Sequence, residues 1–369
     1  MSGTLREATF EDGAAAAELL RRVGLAMPSG EADIQAFWQR LWKTNPAFEA
    51  SPRPLSLGWV LEDEGRMVGF FGNIPMLYFM GHHAAIAADA ALWGVEHTHR
   101  RESGRLAQAY FDQANVDLLF VTTGVKPTGR IFERHGAQRL PQPGFGEVWY
   151  WVADGPGFVA AALRKRGAGQ NLAGLSANLG GPLLNAGIRI AARWPKAPSL
   201  SIEQTAMDRV GPDFDGLWER QLAGKPRFMA CRDARSIRWH FAANDTMVLT
   251  HRSGGELLGY MALIRADAEA VGLRRYKIAD VLIAGDDADI FESLLGAAFE
   301  ATIDAGAHVL ELIGLPDVFR RRARAARPFV RAVETWPFYY KPVGWTLSKC
   351  LDEPGAWYAT PFDGDTTLM

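Results

Sequence analysis

Cysteine is nearly missing from this chain of 369 residues, which has only Cys231 and Cys350. So small a supply excludes a disulfide framework and a cysteine-built metal centre, and it fits thiols kept reduced in a cytosol. A surplus of one charge is missing too, since 40 basic residues face 42 acidic ones for a formal net charge of −2. That balance argues against a general nucleic-acid or membrane-surface binder. The opening MSGTLREATFEDG has no apolar h-region behind a basic n-region, so no secretory leader is read and a cytoplasmic location is expected. One uncharged stretch of 22 residues, 167–188, has the length of a membrane span, yet its six glycines, three asparagines and a proline make it a poor one. We read it as interdomain connector with some helix. A weak peripheral membrane contact, flanked by Arg164, Lys165, Arg166, Arg189 and Arg193, is the second reading. Histidines give no metal site either, because adjacent His82 and His83 point opposite ways on a strand.

What is present is a repeated order of elements. The length exceeds one ordinary core, so two domains are expected. Strands at 5–10, 56–61 and 67–74 and helices at 11–23 and 32–43 precede an apolar strand at 86–95. Residues 77–80 either join the hairpin or begin the next strand. Then come a polar turn with Arg100, Arg101, Ser103 and Gly104, a helix at 104–115, a strand at 116–121, and a helix at 128–135 closed by Gly136. A turn that brings backbone N–H groups and guanidinium charge to a helix N-terminus suits a pyrophosphate. After the connector the order restarts, with a strand at 200–203, a helix at 214–221, a hairpin at 247–251 and 257–265, a strand at 277–284, a helix at 288–305, a strand at 309–313 and a helix from 316. The expected fold class is α/β with mixed sheets. Residues 1–153 form an N-terminal domain, 154–198 the connector and 199–369 a C-terminal domain.

Arg101-Glu102-Ser103-Gly104-Arg105-Leu106, following a strand that ends at Val95, resembles the Q/R-x-x-G-x-G/A turn of the GNAT superfamily of acyl-CoA-dependent N-acyltransferases. Two registers fit. One starts at Arg101 and puts Leu106 at the last small position; the other starts at Arg100 and puts Ser103 at the first glycine. The segment KPTGRIFERHG resembles the family's next helix, with Ala137 where an aromatic is usual. RDARSIRWHF and WYATPFDGDTTL resemble phrases of two-domain GNAT-like proteins from bacterial polysaccharide and lipid-linked glycan gene clusters, with His240 in place of an arginine. The resemblance implies tandem GNAT-like domains, acetyl-CoA or another acyl-CoA as co-substrate, and no metal. It places donor contacts at Val95, Arg100, Arg101, Glu102, Ser103, Gly104, Arg105, Lys126 and Gly129. In the second copy the basic turn is replaced by Ala284-Gly285-Asp286-Asp287-Ala288-Asp289, whose carboxylates would repel a pyrophosphate. One donor site is therefore expected.

N-acyl transfer needs a neutral amine, a polarised thioester and a proton returned to the thiolate. Asp89 stands in an apolar strand, where burial would raise its pKa; it is either the base or the partner of an arginine. His97 is a base or a turn residue, and Tyr110 a proton donor or a packing residue. Asp280 is read as the second copy's counterpart of Asp89, facing the interdomain cleft or pairing with Arg232 or Arg238. Tyr339 and Tyr340 line a substrate pocket or pack, and Asp363 and Asp365 contact a cationic amine or cap a turn. Six arginines between Arg320 and Arg331 read as a solvated helix face rather than a nucleic-acid patch. The function expected is transfer of an acyl group from acyl-CoA, or from an acyl-carrier protein, to a small amine such as an amino sugar. The rivals are a FemX-like aminoacyltransferase using aminoacyl-tRNA and a non-catalytic binding protein with the same fold.

Overall fold

The computed structural model describes residues 3–167, 180–181, 183, 185–187, 194–333 and 337–369. Most of the uncharged stretch, and with it the peripheral membrane reading, lies outside the described residues. Among those described, no helix is long and apolar enough to cross a membrane.

Two mixed sheets form the molecule. The first runs β1 (Thr4–Glu7), β2 (Gly58–Asp63), β3 (Arg66–Met80), β4 (His83–Val95) and β5 (Leu118–Val121), then β15 (Tyr339–Pro342), and ends on β6 (Gln138–Arg139). A short strand, β9 (Phe228–Ala230), pairs with the far end of β3. The second sheet runs β8 (Glu203–Thr205), β10 (Thr246–Ser253), β11 (Glu256–Arg265), β12 (Arg275–Ile283) and β13 (Val309–Ile313), then β7 (Glu147–Val152), and ends on β14 (Phe329–Ala332). In each, an antiparallel meander leads into one parallel pair, β4 with β5 and β12 with β13. The repeat expected from the element order is therefore present.

Sheet membership does not follow the halves of the sequence. β7 lies inside the second sheet between β13 and β14, and β15 lies inside the first between β5 and β6. The first half lends β7 to the second sheet, and the second half lends β15 and the short β9 to the first, so a division at residue 153 does not separate the sheets. The physical reason lies in the side chains. Val148, Trp149, Trp151 and Val152 are all buried, the pattern of a strand covered on both faces. Such a run marks an interior strand without marking which sheet it enters.

Local elements depart from expectation in three places. β3 continues to Met80 and absorbs 77–80. The helix expected at 32–43 is α2 (Glu31–Trp38), followed by a π-helical turn, Gln39–Lys43, and Asn45 then caps α3 (Pro46–Ala50). The widened turn stacks Trp38 on Trp42 with ring centroids 4.1 Å apart. The strand expected at 200–203 is β8 itself, which starts only at Glu203.

The first sheet carries α1 (Gly13–Arg22) against β3 and β4 on one face, and α4 (Ser103–Phe111) and α5 (Lys126–Arg134) contribute to the other. On that second face Trp93, Phe71 and Tyr110 stack in sequence, with centroids 4.7 and 4.9 Å apart. Each contact is worth about 0.5–1.5 kcal/mol beyond burial. The stack pins a bulge. Leu92 and Trp93 together face the single residue Phe71 between the pairs Gly72↔Ala91 and Phe70↔Gly94, and Leu92 takes φ 54°. α6 (Gly155–Lys165), α7 (Pro212–Ala223), α8 (Ala234–Phe241), α9 (Ala288–Asp304) and α10 (Asp317–Ala325) belong to the second half of the chain or lead into it.

Candidate active site

β4 and β5 pair at Ala87↔Leu118, Ala88↔Leu119 and Asp89↔Phe120, and then part. The fork so formed holds three of the residues singled out in the sequence. Tyr110 enters from α4 and is fully buried, its hydroxyl donating toward the Ala88 and Phe120 carbonyls at 2.7 and 3.0 Å and accepting from Phe120 N–H. This hydroxyl takes up backbone groups that the parting strands no longer satisfy. Asp89, 0 % exposed, has no hydrogen-bond partner of good geometry on either carboxylate oxygen. Burial, with the charge of Asp365 adding to it, holds its carboxyl well above the usual carboxylate range; the Asp365 N–H draws it back only in part.

Asp365 arrives on the C-terminal segment. It accepts from the Thr122 hydroxyl at 2.7 Å and the Thr123 hydroxyl at 3.2 Å, while Thr122 Oγ1 also accepts from Asp365 N–H. Burial pushes its carboxyl up to about 6, against those two hydroxyls. Gly364 lies so close that an added Cβ would stand 2.3 Å from Thr122. Thr122 and Thr123 were not legible in the sequence, because their role depends on a partner more than two hundred residues away.

β4 continues past the fork to a 3₁₀ turn, His97–Glu102, and α4 begins at Ser103. His97, Arg100, Arg101 and Gly104 are exposed, and a Cβ on Gly104 would meet nothing within 4 Å. Among the described residues no carboxylate lies in ion-pair range of Arg100 or Arg101. Glu102 and Arg105 are occupied with each other at 2.6 Å and with Gly3, and Ser103 Oγ donates to the Arg100 carbonyl. Val95 pairs with Gly69 at the strand's end. Lys126 is exposed at the start of α5, whereas Gly129 is buried, where a Cβ would meet the Tyr339 hydroxyl at 2.7 Å. The glycine is there to seat that tyrosine.

The remaining site candidates lie elsewhere. Tyr340 donates its hydroxyl to the Leu351 carbonyl and to Asp352, each at 3.1 Å. Asp280 and Asp363 flank Arg232, fully buried, in a charge cluster that also takes in Thr360 and Tyr260. Burial alone would lower the pKa of the Arg232 guanidinium, but the two carboxylates hold it well above the usual arginine range. His240 is neutral, its pKa pushed well below the usual range first by burial, and its Nε2 meets the Thr367 hydroxyl at 2.8 Å.

Counting from the parallel pairs corrects one equivalence. β12 and β13 pair at Arg275↔Val309, Tyr276↔Leu310 and Lys277↔Glu311 before parting. The counterpart of Asp89 at the last pair is therefore Lys277, not Asp280, which stands three residues further along β12. Sequence order alone could not supply that register. Beyond this second fork the N-terminus of α9 is closed from within. Asp287 accepts from the Asp289 and Ile290 N–H groups at 2.8 and 3.1 Å, and Asp286 binds Arg227 through both oxygens. Among the described residues no group of three His, Cys, Asp or Glu side chains is placed to hold a metal ion.

A sheet with a forked parallel pair, a bulge beside the fork and a basic turn opening the following helix is the arrangement of the GCN5-related N-acetyltransferase fold, and comparison with solved structures shows that fold. A GCN5-related N-acetyltransferase from Anabaena variabilis matches over 92% of this chain and 73% of its own, with TM-score 0.57 and 11% identity. A conserved Enterococcus faecalis protein described as a probable N-acyltransferase matches over 93% and 73%, with TM-score 0.59 and 10% identity. A GCN5-related N-acetyltransferase from Kribbella flavida matches over 92% and 71%, with TM-score 0.54 and 8% identity. No protein-family model matches the sequence, and no curated protein does.

Proposed function

We propose that the protein is an N-acyltransferase with a single acyl-CoA site, in the first half, and a small amine such as an amino sugar as acceptor. The observation that carries this reading is the contrast at the two helix N-termini. The first half presents exposed Arg100 and Arg101 and an open face at Gly104, while Asp287 and the Asp286–Arg227 pair close the second. Arg100, Arg101 and the amide at Gly104 hold the pyrophosphate, and the thioester supplies the acyl group.

Asp89 and Asp365 are the groups that handle the proton. Burial raises both carboxyls, Asp89 well above the usual carboxylate range and Asp365 to about 6, so Asp89 holds a proton beside a carboxylate that takes one up readily. The amine nitrogen bonds to the carbonyl carbon, the carbon–sulfur bond breaks, and the proton lost by the amine passes through this pair to the thiolate. Amide and free thiol are the products. Supporting a cytoplasmic, bacterial, biosynthetic setting are the reduced-thiol composition and the resemblance of the terminal phrases; an acyl-carrier protein is the alternative donor.

The test is calorimetric titration of acetyl-CoA and longer acyl-CoAs into wild type and an Arg100→Ala/Arg101→Ala variant. We expect binding weakened about 10- to 100-fold, a loss of roughly 1.4–2.8 kcal/mol. Absence of binding by the wild type to every acyl-CoA tried would sink the reading.

A further inference from the structure

The second fork is open where the first is filled. Past the Lys277↔Glu311 pair the structure leaves a cavity of about 240 Å³ bounded by β12, β13, β7 and the C-terminal segment. Its apolar wall includes Val148, Ile278, Leu312 and Ile313. Its polar end is cationic. Glu311, buried at 7 % exposure, is engaged by Arg275 at 3.3 Å and by Arg331 at 3.6 Å. Lys277, half-buried between these groups, has no hydrogen-bond or ion-pair acceptor among the described residues. Three cations thus share one carboxylate, and the surplus positive charge faces an apolar space.

We propose that this second fork is a binding site for a small carboxylic acid with an apolar body, its carboxylate set against Lys277 and its hydrocarbon against Val148, Ile278 and Leu312. Three cations against one carboxylate favour an anion over a neutral ligand. Burial first, and then the neighbouring Arg275, push the Lys277 ammonium below the ordinary lysine range, and an anion beside it relieves both. A CoA-sized anion is disfavoured at the N-terminus of α9, where the Asp287 carboxylate takes the Asp289 and Ile290 amides and repels a pyrophosphate. The cavity volume suits a ligand with an apolar chain or a single ring, smaller than a drug-sized molecule. Thr366 lines this cavity and donates to the Thr122 carbonyl at 3.3 Å, so an occupant rests on the same segment that carries Asp365 into the first fork.

The site does not depend on the N-acyltransferase reading. Hexanoate, 3-phenylpropionate and the neutral isostere hexanamide are titrated calorimetrically into the full chain, its Lys277→Met variant, an Ile313→Trp variant that fills the apolar wall, and the Arg100→Ala/Arg101→Ala variant. The acids bind wild type and the arginine variant alike; the amide binds at least about tenfold more weakly. Lys277→Met, which removes the half-buried amine and keeps the side chain's length, loses at least about tenfold for the acids with its thermal transition retained, and Ile313→Trp excludes them. The proposal is overturned if no acid binds wild type up to about 10 mM, if hexanamide binds as well as hexanoate, or if Lys277→Met binds unchanged. The comparison of acid with amide on wild type needs no variant to fold.

Discussion

Asp89 in the first sheet lies buried with both carboxylate oxygens unpartnered, whereas Asp280 in the second, equally buried, is bonded by Arg232, Thr360 and Tyr260. The same sheet plan thus treats a buried carboxylate in opposite ways. In the second half charge is matched by charge and hydroxyl, which fixes the C-terminal segment between the sheets. In the first half a carboxyl is left where ionisation is costly, with a second carboxyl nearby and, among the described residues, no cation to match it. An uncompensated group of this kind lowers stability, and groups of this kind cluster at functional sites in proteins at large.

This contrast can be broken most severely at Arg232. Arg232→Ala leaves Asp280 and Asp363 facing each other without a cation, and we expect a loss of about 3–5 kcal/mol in urea unfolding. A loss under about 1 kcal/mol would place the cluster among ordinary surface pairs and erase the distinction.

Asp89→Asn sharpens the other side. The folded-state pKa of Asp89 is raised, so the folded protein binds the extra proton, and stability falls as pH rises from about 3.9 through the folded value. The variant escapes that fall. It should be more stable than wild type at pH 8 by roughly 1–3 kcal/mol, with the advantage gone near pH 4, while acyl transfer drops about 10²- to 10⁴-fold. Unfolding at the two pH values and steady-state rates check both halves of the expectation; a less stable variant at pH 8 would contradict it.

The smallest effect is expected at the second helix N-terminus. Asp287→Ala removes the cap of α9 and should cost about 1 kcal/mol without changing acyl-CoA affinity, measured by unfolding and by titration. A change in acyl-CoA affinity would mean that the second half also takes part in holding the donor.

The sequence made visible what is local. The acidic turn before β3, the Ser253-Gly254-Gly255 turn between β10 and β11, and the basic turn before α4 each have residues whose backbone preferences or charge announce them. The opposed characters of 100–104 and 284–289 were likewise readable. The forks were not, because a parallel register is set by strands brought together across a helix. That is why Asp280 was matched to Asp89 although Lys277 stands at the equivalent pair. Leu92 gives no sign of its positive φ, which its packing imposes. Nor could an apolar strand such as β7 declare which sheet it would enter.

The reciprocal loan of β7 and β15 also governs the order of assembly. As the chain leaves the ribosome from its N-terminus, β5 is made more than two hundred residues before the neighbour it needs, β15. The first sheet must therefore wait, with β5 unpaired on that side, until β15 has emerged. Neither half severed from the other can close its sheet, and unfolding should take both together as one cooperative event. The order of elements repeats, while the exchanged strands tie the two sheets to one another.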